Sequence, residues 1–192
     1  MKIGVLAAQG AFAEHIAALL KLGVEVVPVR LPEELKGLDG LIIPGGESTS
    51  IAKLMTDYNL TAELRDLVKS GLPVFGTCAG MILLAKKVEN SFPEPLGVMD
   101  ITVRRNAFGR QRESFEADLS IPALGKKPFH AVFIRAPVIE HVNNGVETLA
   151  RLDDGRVVAV REGKLLASAF HPELTDDLRF HRYFLDIIAG QK

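Results

Sequence analysis

The chain has 192 residues, of which 47% are hydrophobic and 24% are charged, and its formal net charge is −1 at pH 7. This composition is typical of a globular protein with a sizeable core, and we expect residues 1–192 to form a single domain. The charge balance argues against a nucleic-acid partner. One cysteine excludes an internal disulfide and a cysteine-built zinc site, and we expect neither a metal nor a cofactor.

A cytoplasmic protein without a membrane partner is the expectation from the hydropathy pattern. No apolar run is long enough to span a bilayer, and no basic amphipathic segment indicates binding to a membrane surface. The sequence at Met1–Gly10 is typical of a strand and a turn, and we expect no signal peptide because a long apolar stretch and a small-residue cleavage site are missing.

Strands and helices alternate in the first half of the chain. Short apolar runs predict strands at Lys2–Ala7, Val24–Val29, Gly40–Ile43 and Pro73–Gly76. Helical spacing of apolar residues predicts helices at Ala11–Leu22, Thr49–Tyr58, Thr61–Ser70 and Ala79–Lys87. Strand–helix–strand units of this length indicate parallel strands covered by helices.

The second half has few helices between its strands. Strands are predicted at Val98–Arg104, Ser114–Asp118, Ala131–Ile134, Val146–Leu152, Val157–Arg161 and Leu165–Ala169. A turn at Asp153-Asp154-Gly155 separates two of these strands, and Asp176–Ile188 is predicted as a helix. The predicted fold class is therefore α/β, with a mainly parallel central sheet flanked by helices and extended by antiparallel strands, as in flavodoxin-like folds.

Cys78 lies where a short apolar strand runs directly into an apolar helix, with Gly76 and Gly80 two residues away on either side. This is the Gly-x-nucleophile-x-Gly pattern of a strand-to-helix elbow. The elbow places the sulfur near a helix N-terminus, which favours the thiolate, and the free amide of Ala79 can face a developing oxyanion. The alternative is an inert buried cysteine, since free cysteine is among the most buried residue types.

A thiolate nucleophile needs a base and an orienting group, and His171 with Glu173 fits these roles. His171 follows the predicted strand Leu165–Ala169 closely, and Pro172 biases it toward an extended conformation, in which alternate side chains lie side by side. The alternative is a His-Pro turn with a solvated glutamate. Of the other histidines, His15 is expected on the surface of the first helix. His130 and His141 lie beside predicted loops, and His181 has charged neighbours in the last helix.

The Pro44–Ser48 loop, Pro-Gly-Gly-Glu-Ser, follows a predicted strand and precedes a predicted helix. Two adjacent glycines let a main-chain amide approach a ligand closely, so a second oxyanion donor is the natural role. One alternative is an ordinary loop in which Ser48 caps the next helix. A phosphate-binding loop fits less well because its lysine and its glycine spacing are missing.

Together, the Pro-Gly-Gly loop, the Gly-x-Cys-x-Gly elbow and the His-Pro-Glu segment resemble the class I, triad-type glutamine amidotransferases. The likeness extends to one branch, the glutaminase subunits of pyridoxal 5′-phosphate synthase, and covers nearly the whole chain. The segments that carry it are Leu6–Gly10, Ala13–His15, Leu41–Ser48, Phe75–Ala85, Arg105–Gln111, Ser114–Leu119, Phe133–Pro137 and Phe170–Thr175.

The resemblance implies a reaction and a set of residues. Cys78 would attack the side-chain amide of L-glutamine, His171 would transfer protons, Glu173 would orient His171, and ammonia would pass to a (β/α)8-barrel synthase subunit in a hetero-oligomer. The backbone amides of Gly46 and Ala79 would form the oxyanion hole. The resemblance further implies glutamine contacts at Gly46, Glu47, Ser48, Arg105, Ile134 and Arg135, and partner docking at Gln9 and Gly10.

Residue chemistry is consistent with the implied glutamine contacts, because the α-carboxylate of glutamine calls for an arginine partner. The alternative for Arg105 and Arg135, each taken alone, is a solvated surface cation. Three other functions stay open: a different cysteine hydrolase on a similar elbow, a regulatory subunit that retains the fold, and a glutaminase that feeds another synthase. The first does not require the Gly-Gly-Glu-Ser loop, and the intact triad argues against the second. Against the third, the Arg105–Gln111 and Phe133–Pro137 runs favour the vitamin B6 branch by resemblance.

Overall fold

The computed structural model of the chain describes residues 1–89, 93–107 and 114–192. The strands of this described part are β1 (Lys2–Leu6), β2 (Glu25–Val29), β3 (Gly40–Ile43), β4 (Val74–Thr77), β5 (Ala85–Val88), β6 (Met99–Arg104), β7 (Ser114–Leu119), β8 (Phe129–Ile134), β9 (Val138–Val142), β10 (Glu147–Arg151), β11 (Val157–Glu162) and β12 (Leu165–Ser168). The α-helices are α1 (Phe12–Lys21), α2 (Ser48–Asp57), α3 (Leu60–Lys69), α4 (Ala79–Leu84) and α5 (Arg179–Ile188).

A parallel group of strands forms one side of the main sheet, in the order β2-β1-β3-β4-β12. Strands β1, β3, β4 and β12 are apolar and almost completely buried, as expected for parallel strands covered on both faces. Apolar side chains of α1, α2, α3 and α5 contribute to the same core. Because these strands are parallel, the loops that follow β1, β3, β4 and β12 meet at one edge of the sheet.

Antiparallel strands extend this sheet beyond β12, in the order β12-β11-β9-β6, and β10 pairs with β11. Strand β5 returns to a parallel pairing on β6 at the far edge. Strands β7 and β8 pair with each other in a separate antiparallel ribbon. The predicted fold class, a mainly parallel sheet with antiparallel additions, is confirmed.

One predicted element was wrong in its second half, and one strand was not predicted. The helix predicted over Ala79–Lys87 ends at Leu84, and Ala85–Val88 is a strand that pairs with β6. An apolar run is compatible with either structure, and the pairing partner lies later in the chain. Strand β9 was missed because it follows Arg135-Ala136-Pro137, which interrupts the apolar pattern, and because only part of it is buried. Within the described residues, no helix is both long enough and apolar enough to cross a membrane.

Candidate active site

Cys78 occupies a tight junction between β4 and α4, as predicted. Its backbone has φ 49° and ψ −101°, a left-handed region that non-glycine residues rarely adopt. The flanking glycines are required by close backbone approach: a Cβ atom on Gly76 would lie 2.6 Å from the Gly80 carbonyl, and one on Gly80 would lie 2.0 Å from the Ile43 carbonyl oxygen. The junction therefore holds a strained cysteine at the edge of the sheet where ligands bind in open α/β folds.

His171 follows β12 and is held in place by a hydrogen bond from its backbone amide to the Val132 carbonyl, 2.8 Å away. Its ring atom Nδ1 lies 2.7 Å from Oε1 of Glu173, and the Glu173 side chain is completely buried. The predicted pairing is present, but its predicted cause was wrong. Residues Pro172–Leu174 form a 3-10 turn, and this turn brings the two side chains together where alternation along an extended segment was expected.

The electrostatics of His171 favour its protonated form. Burial lowers the pKa of His171, but hydrogen bonds to Cys78 and Glu173 outweigh it and raise the pKa to about 10. Because Nδ1 faces the carboxylate, Nε2 is the ring nitrogen available to the thiol. The arrangement therefore suits a cysteine thiolate beside an imidazolium, the charge state of an activated cysteine nucleophile.

The loop after β3 packs directly against this pair. A Cβ atom on Gly45 would lie 2.3 Å from Cε1 of His171 and 3.3 Å from Cβ of Cys78, so only glycine fits. The Gly45 carbonyl accepts a hydrogen bond from the Ala11 amide, 3.0 Å away. Since the C=O and N–H of a trans peptide point in opposite directions, the Gly46 amide faces away from Ala11.

A cavity of about 250 Å³ opens beside Cys78, and it brings most of the predicted site residues together. Its lining includes Gln9, Gly46, Glu47, Ser48, Cys78, Ala79, Arg105, Asn106, Ile134, Arg135 and His171. Two predicted residues lie outside this lining: Glu173 is behind His171, and Gly10 packs on the Gly45 carbonyl. The predicted Arg105–Gln111 run leaves the described residues after Ala107, so its later part is not placed.

Glu47 has a structural role in this cavity that the sequence did not indicate. Its carboxylate accepts hydrogen bonds from the backbone amides of Thr49 and Ser50, so Glu47, rather than Ser48, caps α2. Burial raises the pKa of Glu47, but hydrogen bonds from Thr49 and Ser50 prevail and lower it to about 2. The carboxylate is therefore ionised at neutral pH, and Nη2 of Arg105 lies 3.5 Å from its Oε1 atom.

The remaining walls of the cavity come from the Gln9 loop and the end of β8. Oε1 of Gln9 accepts a hydrogen bond from the Glu47 amide at 2.8 Å, which joins the loop after β1 to the loop after β3. The Ile134 carbonyl oxygen lies 3.9 Å from the Cys78 sulfur. Arg135 follows with φ 43°, a conformation that turns the chain sharply after the strand.

Two buried histidines beside the proposed triad were not predicted from the sequence. His15 was expected on a surface, but His15 and His181 are both completely buried. Nε2 of His15 lies 3.3 Å from Oε2 of Glu173, and Nδ1 of His15 lies 2.9 Å from Nε2 of His181. Helical spacing was the available signal, since His15 lies four residues before the buried Leu19 on α1.

A cysteine elbow, a neighbouring histidine beside a buried glutamate and a small charged cavity are the features expected of a triad-type, cysteine-dependent amidotransferase. The model of the SNO glutamine amidotransferase family matches residues 5–189, and the chain belongs to that family. The family predicted from the sequence is confirmed.

Several curated relatives are described as pyridoxal 5′-phosphate synthase subunit PdxT. The protein from Carboxydothermus hydrogenoformans is 61% identical over 189 residues, covering 98% of each chain. The protein from Pelotomaculum thermopropionicum is 60% identical over 193 residues, covering all of this chain and 98% of the relative. A crystal structure described as a glutamine amidotransferase is 55% identical, with a TM-score of 0.92 over 97% of this chain and 98% of that one.

More distant structures share the fold alone. A structure of PurLQS from Thermotoga maritima contains a chain that is 17% identical, with a TM-score of 0.69 over the whole of this chain and 99% of the other. This likeness supports the predicted fold class and carries no information about the substrate or the partner of the chain.

Proposed function

We propose that this chain is the glutaminase subunit of a pyridoxal 5′-phosphate synthase, which hydrolyses L-glutamine to L-glutamate and supplies the released ammonia for pyridoxal 5′-phosphate synthesis. The observation that carries the proposal is the buried contact of His171 with Glu173 beside Cys78, at the base of a cavity walled by two arginines. The relatives that match nearly the full chain are described as subunits of this synthase.

The first half of the reaction forms a thioester. The Cys78 thiolate attacks the side-chain amide carbon of glutamine, and the amide oxygen takes up the negative charge. The backbone amides of Gly46 and Ala79 receive this oxyanion; Ala79 is the first residue of α4, so its amide has no acceptor within the helix. The His171 imidazolium then donates its proton to the amide nitrogen, the carbon–nitrogen bond breaks and ammonia leaves.

The second half releases glutamate. The neutral His171 takes a proton from a water molecule as the water attacks the thioester carbon. The carbon–sulfur bond breaks, Cys78 returns as a thiolate, and glutamate leaves with the oxygen from water. Glu173 stabilises the imidazolium and holds its ring throughout, without itself taking a proton.

Recognition of glutamine uses the charges of the cavity wall. Arg105 and Arg135 provide guanidinium groups for the α-carboxylate, and the ionised Glu47 provides an acceptor for the α-ammonium group. Gly46, Ser48 and Ile134 complete the lining around the side chain of the substrate. A volume of about 250 Å³ suits a single amino acid rather than a peptide.

The ammonia passes to a (β/α)8-barrel synthase subunit in a hetero-oligomer, because free ammonia would be protonated and lost in water. The Gln9–Gly10 segment belongs to this docking surface: Gln9 bonds to the Glu47 amide and Gly10 packs on the Gly45 carbonyl, so a partner there would also touch the oxyanion loop. In this proposal residues 1–192 act as one glutamine amidotransferase domain in the cytoplasm.

Glutamate release from glutamine, measured with and without the cognate barrel subunit, tests the proposal. The complex should hydrolyse glutamine, and Cys78→Ala should abolish hydrolysis while leaving complex formation intact. His141→Asn, an exposed histidine on β9, serves as a surface control that should retain activity. A complex that releases no glutamate, or a Cys78→Ala variant with full activity, would contradict the proposal.

A further inference from the structure

We propose that His15 is a positioning residue for the triad, whose Nε2–H group donates to Glu173 from the side opposite His171. The inference rests on the proposed function and adds a second buried histidine, His181, which in turn donates to His15. The result is a directional chain of hydrogen bonds from His181 through His15 to Glu173.

The geometry brings three separate elements to one carboxylate. His15 comes from α1 and His181 from α5, 166 positions apart in the sequence, and both side chains are fully buried. Oε1 of Glu173 accepts from His171 at 2.7 Å. Its Oε2 atom is buried and has no hydrogen-bond partner of good geometry among the described residues, and Nε2 of His15, 3.3 Å away, is the donor within reach of it.

The acceptor chemistry of Glu173 fixes the tautomers. An ionised carboxylate only accepts hydrogen bonds, so the His15 nitrogen that faces it must carry the proton. If His15 is neutral, its Nδ1 atom is then an acceptor and takes the Nε2–H of His181, 2.9 Å away. The Nδ1 atom of His181 is left as a bare acceptor, in agreement with its lack of any partner among the described residues.

The surroundings keep both outer histidines neutral. Burial, together with the neighbouring histidines His181 and His171, lowers the pKa of His15 well below its ordinary value. Burial lowers the pKa of His181 to about 4. The titratable groups in contact with Glu173 are therefore one protonated histidine, His171, and one neutral histidine, His15, on opposite sides. A neutral donor stabilises the carboxylate without competing with His171 for the ion pair.

His15 also touches the elbow itself. Its Nε2 atom lies 3.2 Å from Oγ1 of Thr77, the residue that precedes the proposed nucleophile, and 3.3 Å from Oε2 of Glu173, so the same ring nitrogen faces both groups. The ring of Phe75 packs in a T-shaped arrangement against both His15 and His181, and both histidines are fully buried. The histidine ring thus fixes the carboxylate relative to the chain segment that carries Cys78.

A purely structural role does not account for this arrangement. An unpaired buried nitrogen such as Nδ1 of His181 destabilises the fold, and apolar side chains would fill the same space without that penalty. The presence of two buried histidines is explained if Glu173 requires the hydrogen-bond donor that His15 presents to it. Loss of that donor should loosen Glu173, weaken its hold on the His171 imidazolium and lower the pKa of His171.

The test compares His15→Leu with His15→Gln in the complex with the barrel subunit, using His141→Asn as the surface control. Leucine removes the donor, whereas the glutamine amide nitrogen reaches the position of Nε2. His15→Leu should lower kcat by about 10- to 100-fold with KM nearly unchanged, by analogy with the loss of an outer hydrogen-bond partner of a metal-bound histidine. The alkaline limb of its pH profile should move to lower pH, and His15→Gln should restore both properties in part.

An unchanged kcat and pH profile in His15→Leu would overturn the proposal, and so would a glutamine variant no better than the leucine variant. The unmutated chain provides a second measurement that does not depend on a variant folding. Nitrogen-15 NMR of the histidine rings should show His15 as the neutral Nε2–H tautomer at neutral pH; an Nδ1–H tautomer or an imidazolium would overturn the proposal. Absence of glutamate release by the unmutated complex would instead refute the proposed function, while the tautomer would still report on His15.

Discussion

The Nδ1 atom of His171 lies 2.7 Å from Oε1 of Glu173, and the two side chains are 8% and 0% exposed. Hydrogen bonds to an ionised acceptor are stronger than hydrogen bonds between neutral groups, and they become stronger still where water is excluded. The contact therefore fixes both the orientation and the charge of the imidazole, and the pKa of His171 is raised to about 10 by Cys78 and Glu173 despite the opposing effect of burial.

The first prediction concerns pH. Because the pKa of His171 is raised from 6.5 to about 10, the ring is protonated throughout the neutral range and loses its proton only as the pH passes about 10. Glutaminase activity of the complex should fall along that alkaline limb, since the acid that protonates the leaving ammonia is lost. In Glu173→Ala the limb should move to lower pH. An alkaline limb near pH 6.5 in the unmutated enzyme would contradict this account of the ion pair.

Removal of the proposed base, His171, and of its proposed orienting group, Glu173, should differ in severity. His171→Asn should lower kcat by about 10²–10⁴-fold, the typical contribution of a general acid–base group, because thioester formation slows by that factor while the fold stays intact. Glu173→Ala should cost less, because an orienting group acts through the base. Circular dichroism and thermal unfolding check the fold of both variants. A harmless Glu173→Ala would reduce the proposed triad to a pair of Cys78 and His171.

Substrate binding can be tested with two adjacent arginines. Arg105 lines the cavity, whereas Arg104 is exposed and pairs with Glu140. Arg105→Leu should raise the KM for glutamine by about 10- to 100-fold, since a charge-assisted hydrogen bond contributes about 1.5–3 kcal/mol. Arg104→Leu, the matched control, should leave KM unchanged. Equal effects of both substitutions would indicate that general positive charge, and not a specific contact, attracts the substrate.

The glycine that faces His171 provides a steric test. In Gly45→Ala the new Cβ atom would lie 2.3 Å from Cε1 of His171, so either the ring or the loop must move. A displacement of about 1 Å at a catalytic group can cost on the order of 10²-fold in rate, and we expect kcat to fall by that factor. Gly23→Ala is the control: its Cβ atom meets open space, and the positive φ of 76° affects stability alone. Full activity in Gly45→Ala would show that the contact is not needed.

Local sequence features predicted the parts of the site that are encoded locally. The elbow around Cys78 was predicted because close backbone approach demands Gly76 and Gly80 at fixed positions, which a single sequence displays. The contact of His171 with Glu173 was also predictable, because the two residues are close in the sequence. A 3-10 turn, and not an extended segment, produces this contact.

Features that depend on distant residues were not predictable in this way. His15 was placed on a surface because its sequence neighbours are Glu14 and small residues, and nothing in them indicates a contact with His181 on the last helix. The strand Ala85–Val88 was likewise assigned to a helix, because its partner Met99–Arg104 lies later in the chain. The cap formed by Glu47 could not be separated from a cap by Ser48 until the start of α2 was known.

The central claim is that Cys78 is the nucleophile, and its most direct test is mass spectrometry. The complex is allowed to turn over glutamine and is then quenched with acid, which preserves a thioester. The peptide that contains Cys78 should gain the mass of one glutamyl group, and the gain should vanish on mild treatment with hydroxylamine, which cleaves thioesters. Cys78→Ser serves as the control without a thiol. A complex that turns over glutamine while this peptide stays unmodified, or carries the glutamyl group on another residue, would contradict the assignment of Cys78 as the nucleophile.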